Sequence, residues 1–559
     1  MSSSTKSAIN FPPLALYFRA GVFLIISIML FAASARADAG SAKRDNGGSK
    51  NILTHDLDIT IDPDAGAMHL RDVIHVPSER ITNGVLSLET SYFVPEFSPQ
   101  LVGDYDALNI EEVTARDGKW SRLWDIHFNG AKIPDDGVTL SVAYSVIGEI
   151  EPQFAIRPEG SLAGSAGDAW YPYLDYSIRD EGTLTFHTRP GDLVIAPGRR
   201  ASSPEQEAQG AYIFEIEQPT KFGFAAGPYR RQSSGDGSFS IYTLTDIADI
   251  QTWFSKTAAA FDALTQFYGS APYGEAALVQ VDFPTIVLGV SEQNYILADV
   301  SQFETYDFMY WAHEFAHQWW GIAIKAETGA PAGTLFTEGL AEFSALMVLE
   351  TVESEAAAKA YRKGCLSGRD RGLLSRFFEQ TDKSIDHALR DWDPESQDEV
   401  LAMHRLSTSK GAFVLSMLSD LIGRDKILAG LRQLIEERRF TDASWRDAET
   451  AISAAAGENL DWFFGQWLGR PGAPRLQLRW HGEDKHVAGS IMQSEPYYRL
   501  NLEIEMQGAD GERKRKTIPV NGAQTDFKFK APFEIRHLIA DPDYKILRYP
   551  LASDLACGE

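Results

Sequence analysis

His313-Glu314-Phe315-Ala316-His317, with Leu335-Phe336-Thr337-Glu338-Gly339-Leu340-Ala341-Glu342 setting Glu338 beyond His317 with 20 residues between them, is the stretch on which the reading of this chain turns. Histidines four apart lie one turn apart on one helix face, so both imidazoles reach a single cation from a rigid support, with Glu314 beside them. The flanks have helical period. Phe308, Trp311, Phe315 and Trp319 predict a helix over Tyr306 to Trp320 that stops at Gly321, and Glu338 opens a second apolar run through Leu340, Phe343, Leu346, Met347 and Leu349. Two helices joined by about a dozen residues pack antiparallel, which sets the start of the second against the histidine pair. His313, His317 and Glu338 are then the candidate ligands of one Zn2+ per chain, with an open fourth position, and Glu314 is the candidate general base.

At 559 residues the chain is too long for one hydrophobic core. Its apolar fraction of 44% is that of an ordinary globular protein. Residues 1–37 stand apart: Lys6 and Arg19 precede an apolar stretch from Ala20 to Ala33, and small residues follow at Ala35 and Ala37. This reads as a secretory signal peptide, which makes the protein exported, periplasmic or secreted, with no stable membrane span after cleavage. An uncleaved tether is the alternative, although the apolar run is shorter than the roughly 20 residues that cross a bilayer. Cleavage removes Lys6, Arg19 and Arg36 and no acidic residue, so a net charge of -26 becomes -29 and nucleic acid is excluded as a partner. The basic run Arg513 to Lys516 reads as one exposed hairpin strand. Cys365 and Cys557 do not make a disulfide framework, and the sequence leaves open whether they pair.

Period divides the rest. Residues 38–50 read as a flexible leader. Leu57, Ile59 and Ile61 alternate with Asp56, Asp58, Thr60 and Asp62, and similar short runs recur to Tyr229, so residues 51–235 read as an all-β domain. Ile250, Phe254, Phe261, Leu264 and Tyr268 share one helical face that Gly269 ends, two strands are expected between Ala276 and Asp299, and helical runs continue to Leu468, giving a catalytic domain over 236–472. The Gly469-Arg470-Pro471-Gly472 break leads into alternating strands such as Leu500 to Gln507, a C-terminal β-sandwich and tail over 473–559. The expected class is α+β and multidomain.

With those residues in hand the chain resembles the aminopeptidase N family of zinc metallopeptidases, the gluzincins, in the form of a short bacterial-type member. His313 to Gly321 resembles the family's metal helix, Thr337 to Ala341 its third-ligand segment, and Trp462 to Pro474 its junction with a β-sandwich. Trp170-Tyr171-Pro172 and Phe224-Ala225-Ala226-Gly227 are similar to parts of its N-terminal β domain. The resemblance implies a thermolysin-like, mainly α-helical catalytic domain that acts on peptides with a free N-terminus. It also implies that Gly289-Val290-Ser291-Glu292-Gln293-Asn294 is the substrate loop, with Gly289 and Glu292 contacting substrate and Glu292 binding its amine.

Three departures accompany the resemblance. The spacer between His317 and Glu338 is longer than the family's. The residues around Glu292 differ from the family's loop. Thr408, before Ser409-Lys410-Gly411, stands where the family carries a catalytic tyrosine, and its side chain is too short to replace a phenol. His404, one helical turn earlier, is a candidate oxyanion donor, and Glu342, one turn beyond Glu338, a candidate partner of a ligand histidine. Two alternatives follow from Thr408: a zinc-binding protein with weak or no peptidase activity, or a zinc hydrolase of a non-peptide substrate.

Overall fold

The computed structural model describes residues 52–551 apart from 93, 95, 118–120, 131, 151–152, 166–168, 175–178, 285–286, 327–332, 365–371, 383–386, 391, 393–396 and 484. The signal peptide and leader readings, Cys365 and Cys557 lie outside the described residues. Up to Thr243 the described regular structure is almost wholly strand. Leu57, Ile59 and Ile61 are buried while Asp56, Asp58 and Thr60 face out, so the strand Thr54–Asp62 behaves as its alternation requires. It lies at the centre of a seven-stranded sheet, parallel to Asp180–His187 and antiparallel to Ala67–Val76. A three-stranded sheet built on Arg122–Phe128 shares its core.

A five-stranded sheet then carries the site. In sheet order its strands are β1 (Arg230–Ser233), β2 (Phe239–Thr243), β3 (Ala276–Val281), β5 (Tyr295–Asp299) and β4 (Gly289–Glu292). The central strands β2, β3 and β5 run parallel, and β4 is an edge strand paired antiparallel with β5 alone. Where two strands are expected between Ala276 and Asp299 there are three, because the short run Gly289–Glu292 turns back through Gln293 and Asn294. Asn294 takes the left-handed conformation (φ 61°) that such a tight turn needs and that Asn tolerates.

Helix α1 (Ile250–Tyr268) ends at Gly269, as its pattern predicts. Helix α2 (Phe308–Ala316) is shorter than the expected Tyr306 to Trp320: Asp307 caps its start by accepting from the Tyr310 amide at 3.1 Å, and the chain leaves the helix at His317. Apolar spacing alone carried the expectation onward, but Trp319 and Trp320 are buried in a compact turn instead. In that turn the Ile322, Ala323 and Ile324 amides bond back to the carbonyls of His317, Gln318 and Trp319. Helix α3 (Gly333–Val352) is apolar on nearly every side and runs through the core. Glu338 falls in its second turn, not at its start. Helix α4 (Gln397–Leu406) widens into a buried π-helical turn, Ser407–Gly411, before α5 (Ala412–Ile422). This turn packs on α3 so closely that a Cβ added to Gly411 would lie 3.4 Å from the Cα of Gly339.

The last described helix is Asp461–Trp467. Beyond it lie two three-stranded sheets, one centred on His486–Gln493 and one on Leu500–Gln507, whose buried residues are continuous with the core of the helices. Arg513–Val520 is an exposed strand, and Arg515 pairs with Glu503, Glu505 and Asp543, so the basic run is largely neutralised locally. No helix among the described residues is long and apolar enough to cross a membrane.

Candidate metal centre

Among the described residues one group of His, Cys, Asp and Glu side chains converges tightly enough to hold a metal ion: His313, His317 and Glu338. The Nε2 atoms of the two histidines are 3.1 Å apart. Glu338 Oε2 is 3.4 Å from Nε2 of His313, and Oε1 is 3.6 Å from Nε2 of His317. Helix α2 supplies the first two groups one turn apart, and α3, packed against it, supplies the third.

The outer nitrogens fix the tautomers. His317 Nδ1 lies 2.8 Å from the Trp320 carbonyl, which only accepts, so this nitrogen carries the proton. The turn at Gly321 (φ 122°) folds that carbonyl under the ring. His313 Nδ1 donates to Glu342 Oε2 at 2.8 Å. When the rings are neutral, both Nε2 lone pairs are left to face an ion, and they point at each other and at a carboxylate. Three electron-rich donors this close repel one another unless a cation lies between them. Nitrogen and oxygen donors from two imidazoles and one carboxylate are a set that Zn2+ accepts, so the residues fit that ion.

The electrostatics agree with a cation site. Burial would raise Glu338, but His317, His404 and His313 outweigh it and hold the carboxyl well below its usual range. Burial likewise works against His313, yet Glu338 and Glu342 bring it up to about 10. Glu342 itself is held down to about 2: burial is overcome by Arg376 and His313, and its Oε1 also accepts from Tyr361 and the Arg376 guanidinium.

The other residues singled out by sequence fall as follows. Glu314 Oε2 accepts a hydrogen bond from the Ser291 hydroxyl at 2.8 Å, which ties the candidate base to edge strand β4. Gly289 begins that strand, and a Cβ there would lie 2.2 Å from the Tyr310 hydroxyl, so a side chain at this position would displace that ring. Glu292 ends it and is 2% exposed; Oε1 accepts from the Ser165 amide at 2.7 Å. Burial pushes its carboxyl up to about 7, against hydrogen bonds from Ser165 and the charge of Lys325. His404 is buried with Nδ1 3.5 Å from Glu338 Oε2, and burial lowers it to about 4. Thr408 is buried, and its hydroxyl donates to the His404 carbonyl at 3.2 Å. That hydroxyl is turned back along its own helix, so it takes no part among the groups around Glu338.

Sequence reasoning missed Ser291, Gln318, Tyr361 and Arg376. Gln318 follows the second histidine and clamps the Glu292 turn with both ends of its amide: Nε2 donates to the Glu292 carbonyl at 2.8 Å, and Oε1 accepts from the Asn294 amide at 2.9 Å. Its adjacency to His317 was the available clue. Tyr361 and Arg376 come from separate helices, and no local pattern marks them.

Fold and site together set a candidate metal centre on a helix pair beside a β-edge. Residues 288–467 match the peptidase family M1 domain. The chain is 29% identical to the membrane alanyl aminopeptidase of Manduca sexta over 30% of its own length and 17% of that protein's. It is 25% identical to the tricorn protease-interacting factor F2 of Thermoplasma volcanium over 31% of its length and 21% of the relative's. With the aminopeptidase N of Lactobacillus delbrueckii subsp. lactis it shares 24% identity over 65% of its length and 42% of the relative's. Each match thus spans less than half of the relative's length. Over residues 288–467 the chain is similar to the M1 peptidases, and an aminopeptidase N is among the relatives it matches.

Proposed function

We propose that the protein is a zinc-dependent aminopeptidase that releases N-terminal residues from peptides. The observation that carries the reading is the convergence of two Nδ1-protonated imidazoles and one carboxylate, with a tethered glutamate next to them in sequence. His313, His317 and Glu338 hold the ion, which when bound supplies Lewis acidity that polarises the scissile carbonyl and acidifies water. Glu314 takes the proton of the attacking water and returns it to the leaving amine. The edge of β4, which pairs with β5 among the described strands, offers backbone groups to an extended peptide, and Glu292 at its end binds the substrate's ammonium group. The Ser165 amide holds that carboxylate, and Gln318 holds the backbone turn that carries it. Export to the periplasm or outside the cell is part of the proposal, on the strength of residues 1–37.

A second reading is kept for one observation. The Thr408 hydroxyl is bonded to its own helix, so no phenol stands at that point, and losing one oxyanion donor costs about a hundredfold to a thousandfold in rate. Weak turnover, or a substrate other than a peptide, follows from it. Aminoacyl anilides assayed beside their N-acetylated forms separate these readings. The aminopeptidase reading requires zinc-dependent hydrolysis of the free-amine form alone. Equal rates on both forms, or no turnover with zinc bound, would contradict it.

A further inference from the structure

Each ligand of the proposed metal centre needs an outer partner to fix its rotation, since a carboxylate or imidazole free to turn holds an ion poorly. His313 has Glu342, and His317 has the Trp320 carbonyl. For Glu338 the neighbour is His404, which is 5% exposed and carries Nδ1 3.5 Å from Oε2. Neither ring nitrogen of His404 has a hydrogen-bond partner among the described residues. A buried imidazole left without partners is costly, so its position beside a ligand carboxylate calls for a reason. A carboxylate only accepts, and a ring nitrogen facing it must donate.

We propose that His404 is the positioning residue of the third ligand: its Nδ1–H donates to Glu338 Oε2 and holds the carboxylate with Oε2 toward His313 and Oε1 toward His317. The inference rests on the zinc reading of the site. The chain around His404 is built to hold the ring there. The hydroxyls of Ser407, Thr408 and Ser409 bond back to the carbonyls of Met403, His404 and Arg405, so three consecutive side chains serve the backbone that the π-helical turn opens. Thr408 in particular ties down the His404 carbonyl. The ring is not itself a fourth ligand, because it falls outside the group of donor atoms that lie within 4.8 Å of one another.

The test is the zinc affinity of the full chain, measured by competition with a chromophoric chelator, for wild type and for His404→Leu, His404→Asn and His404→Gln. Asparagine sets an amide N–H where Nδ1 stands, whereas glutamine carries its amide towards Nε2. Leucine and glutamine are expected to weaken zinc about 10- to 100-fold, and asparagine to restore wild-type affinity. Melting of the metal-free variants reports folding, and should the leucine variant not fold, the comparison of asparagine with glutamine decides. Wild-type affinity in the leucine or glutamine variant, or asparagine as weak as leucine, would overturn the assignment. So would a cobalt-substituted spectrum that shows one nitrogen ligand lost in His404→Leu. A wild type that takes up no zinc would instead sink the metal reading beneath it.

Discussion

The Ser291 hydroxyl donates to Glu314 Oε2 at 2.8 Å and lies 3.1 Å from the Glu314 carbonyl, joining the edge strand to the residue between the two histidines. Ser291 neither ligates nor reacts in this arrangement; it limits the rotation of the carboxylate that must meet a water. Ser291→Ala is expected to lower kcat about tenfold while zinc content stays at wild-type level. Steady-state kinetics with metal analysis on the same sample check this. An unchanged kcat would show that the hydrogen bond positions nothing.

In the proposed reaction Glu314 bears the proton transfer. Glu314→Gln keeps the shape of the side chain and the bond from Ser291, yet cannot accept a proton. It is expected to bind zinc as the wild type does and to lose at least about a hundredfold in kcat on aminoacyl anilides. Retained turnover would move the base elsewhere.

Glu342 joins two tasks, partner of His313 and counter-charge of Arg376. Glu342→Gln is expected to weaken zinc about 10- to 100-fold by releasing the imidazole. It also leaves the Arg376 cation, whose side chain is 15% exposed, without its carboxylate, a loss of about 3–5 kcal/mol for a buried pair. Chelator competition and metal-free melting measure the two effects separately.

Glu292 gives a pH dependence whose sign can be worked out. Its folded-state pKa is raised from the usual 4.5 to about 7, so the folded protein holds this proton more firmly than the unfolded chain does. The stabilisation is complete below the unfolded value and is lost as pH rises through about 7. Wild type should therefore lose stability relative to Glu292→Gln between pH 5 and pH 8, read as the difference in Tm. Amine binding runs the other way, since it needs the ionised carboxylate. KM for free-amine substrates should fall as pH rises to about 7 and climb again above about 8, where the substrate amine itself deprotonates. Glu292→Gln should show no such trend.

The ligand set was legible because it is local: four residues of helical rise decide whether His313 and His317 share a face, and Glu338 sits in a second apolar run. The helix limits were less so. Apolar spacing ran on through Trp319 and Trp320, but tryptophans are buried as readily by a turn as by a helix, and the hydrogen bonds that make the turn leave no mark on composition. In sequence Ser291 is only a departure from the family's loop, and it is the fold that sets its hydroxyl against Glu314. Arg376 and Tyr361 reach Glu342 from residues far along the chain, and only tertiary packing brings them there. His404 was reachable from its spacing to Thr408, whereas the direction of the Thr408 hydroxyl was not.

The central claim is that His313, His317 and Glu338 together hold one catalytic cation. Metal analysis of purified wild type and of Glu338→Ala, with aminoacyl-anilide hydrolysis measured on the same samples, tests it most directly. The expected result is one zinc per wild-type chain, with metal and hydrolysis lost together in the variant and after chelation. Wild-type protein that takes up no zinc, or hydrolysis that survives the loss of it, would contradict the account.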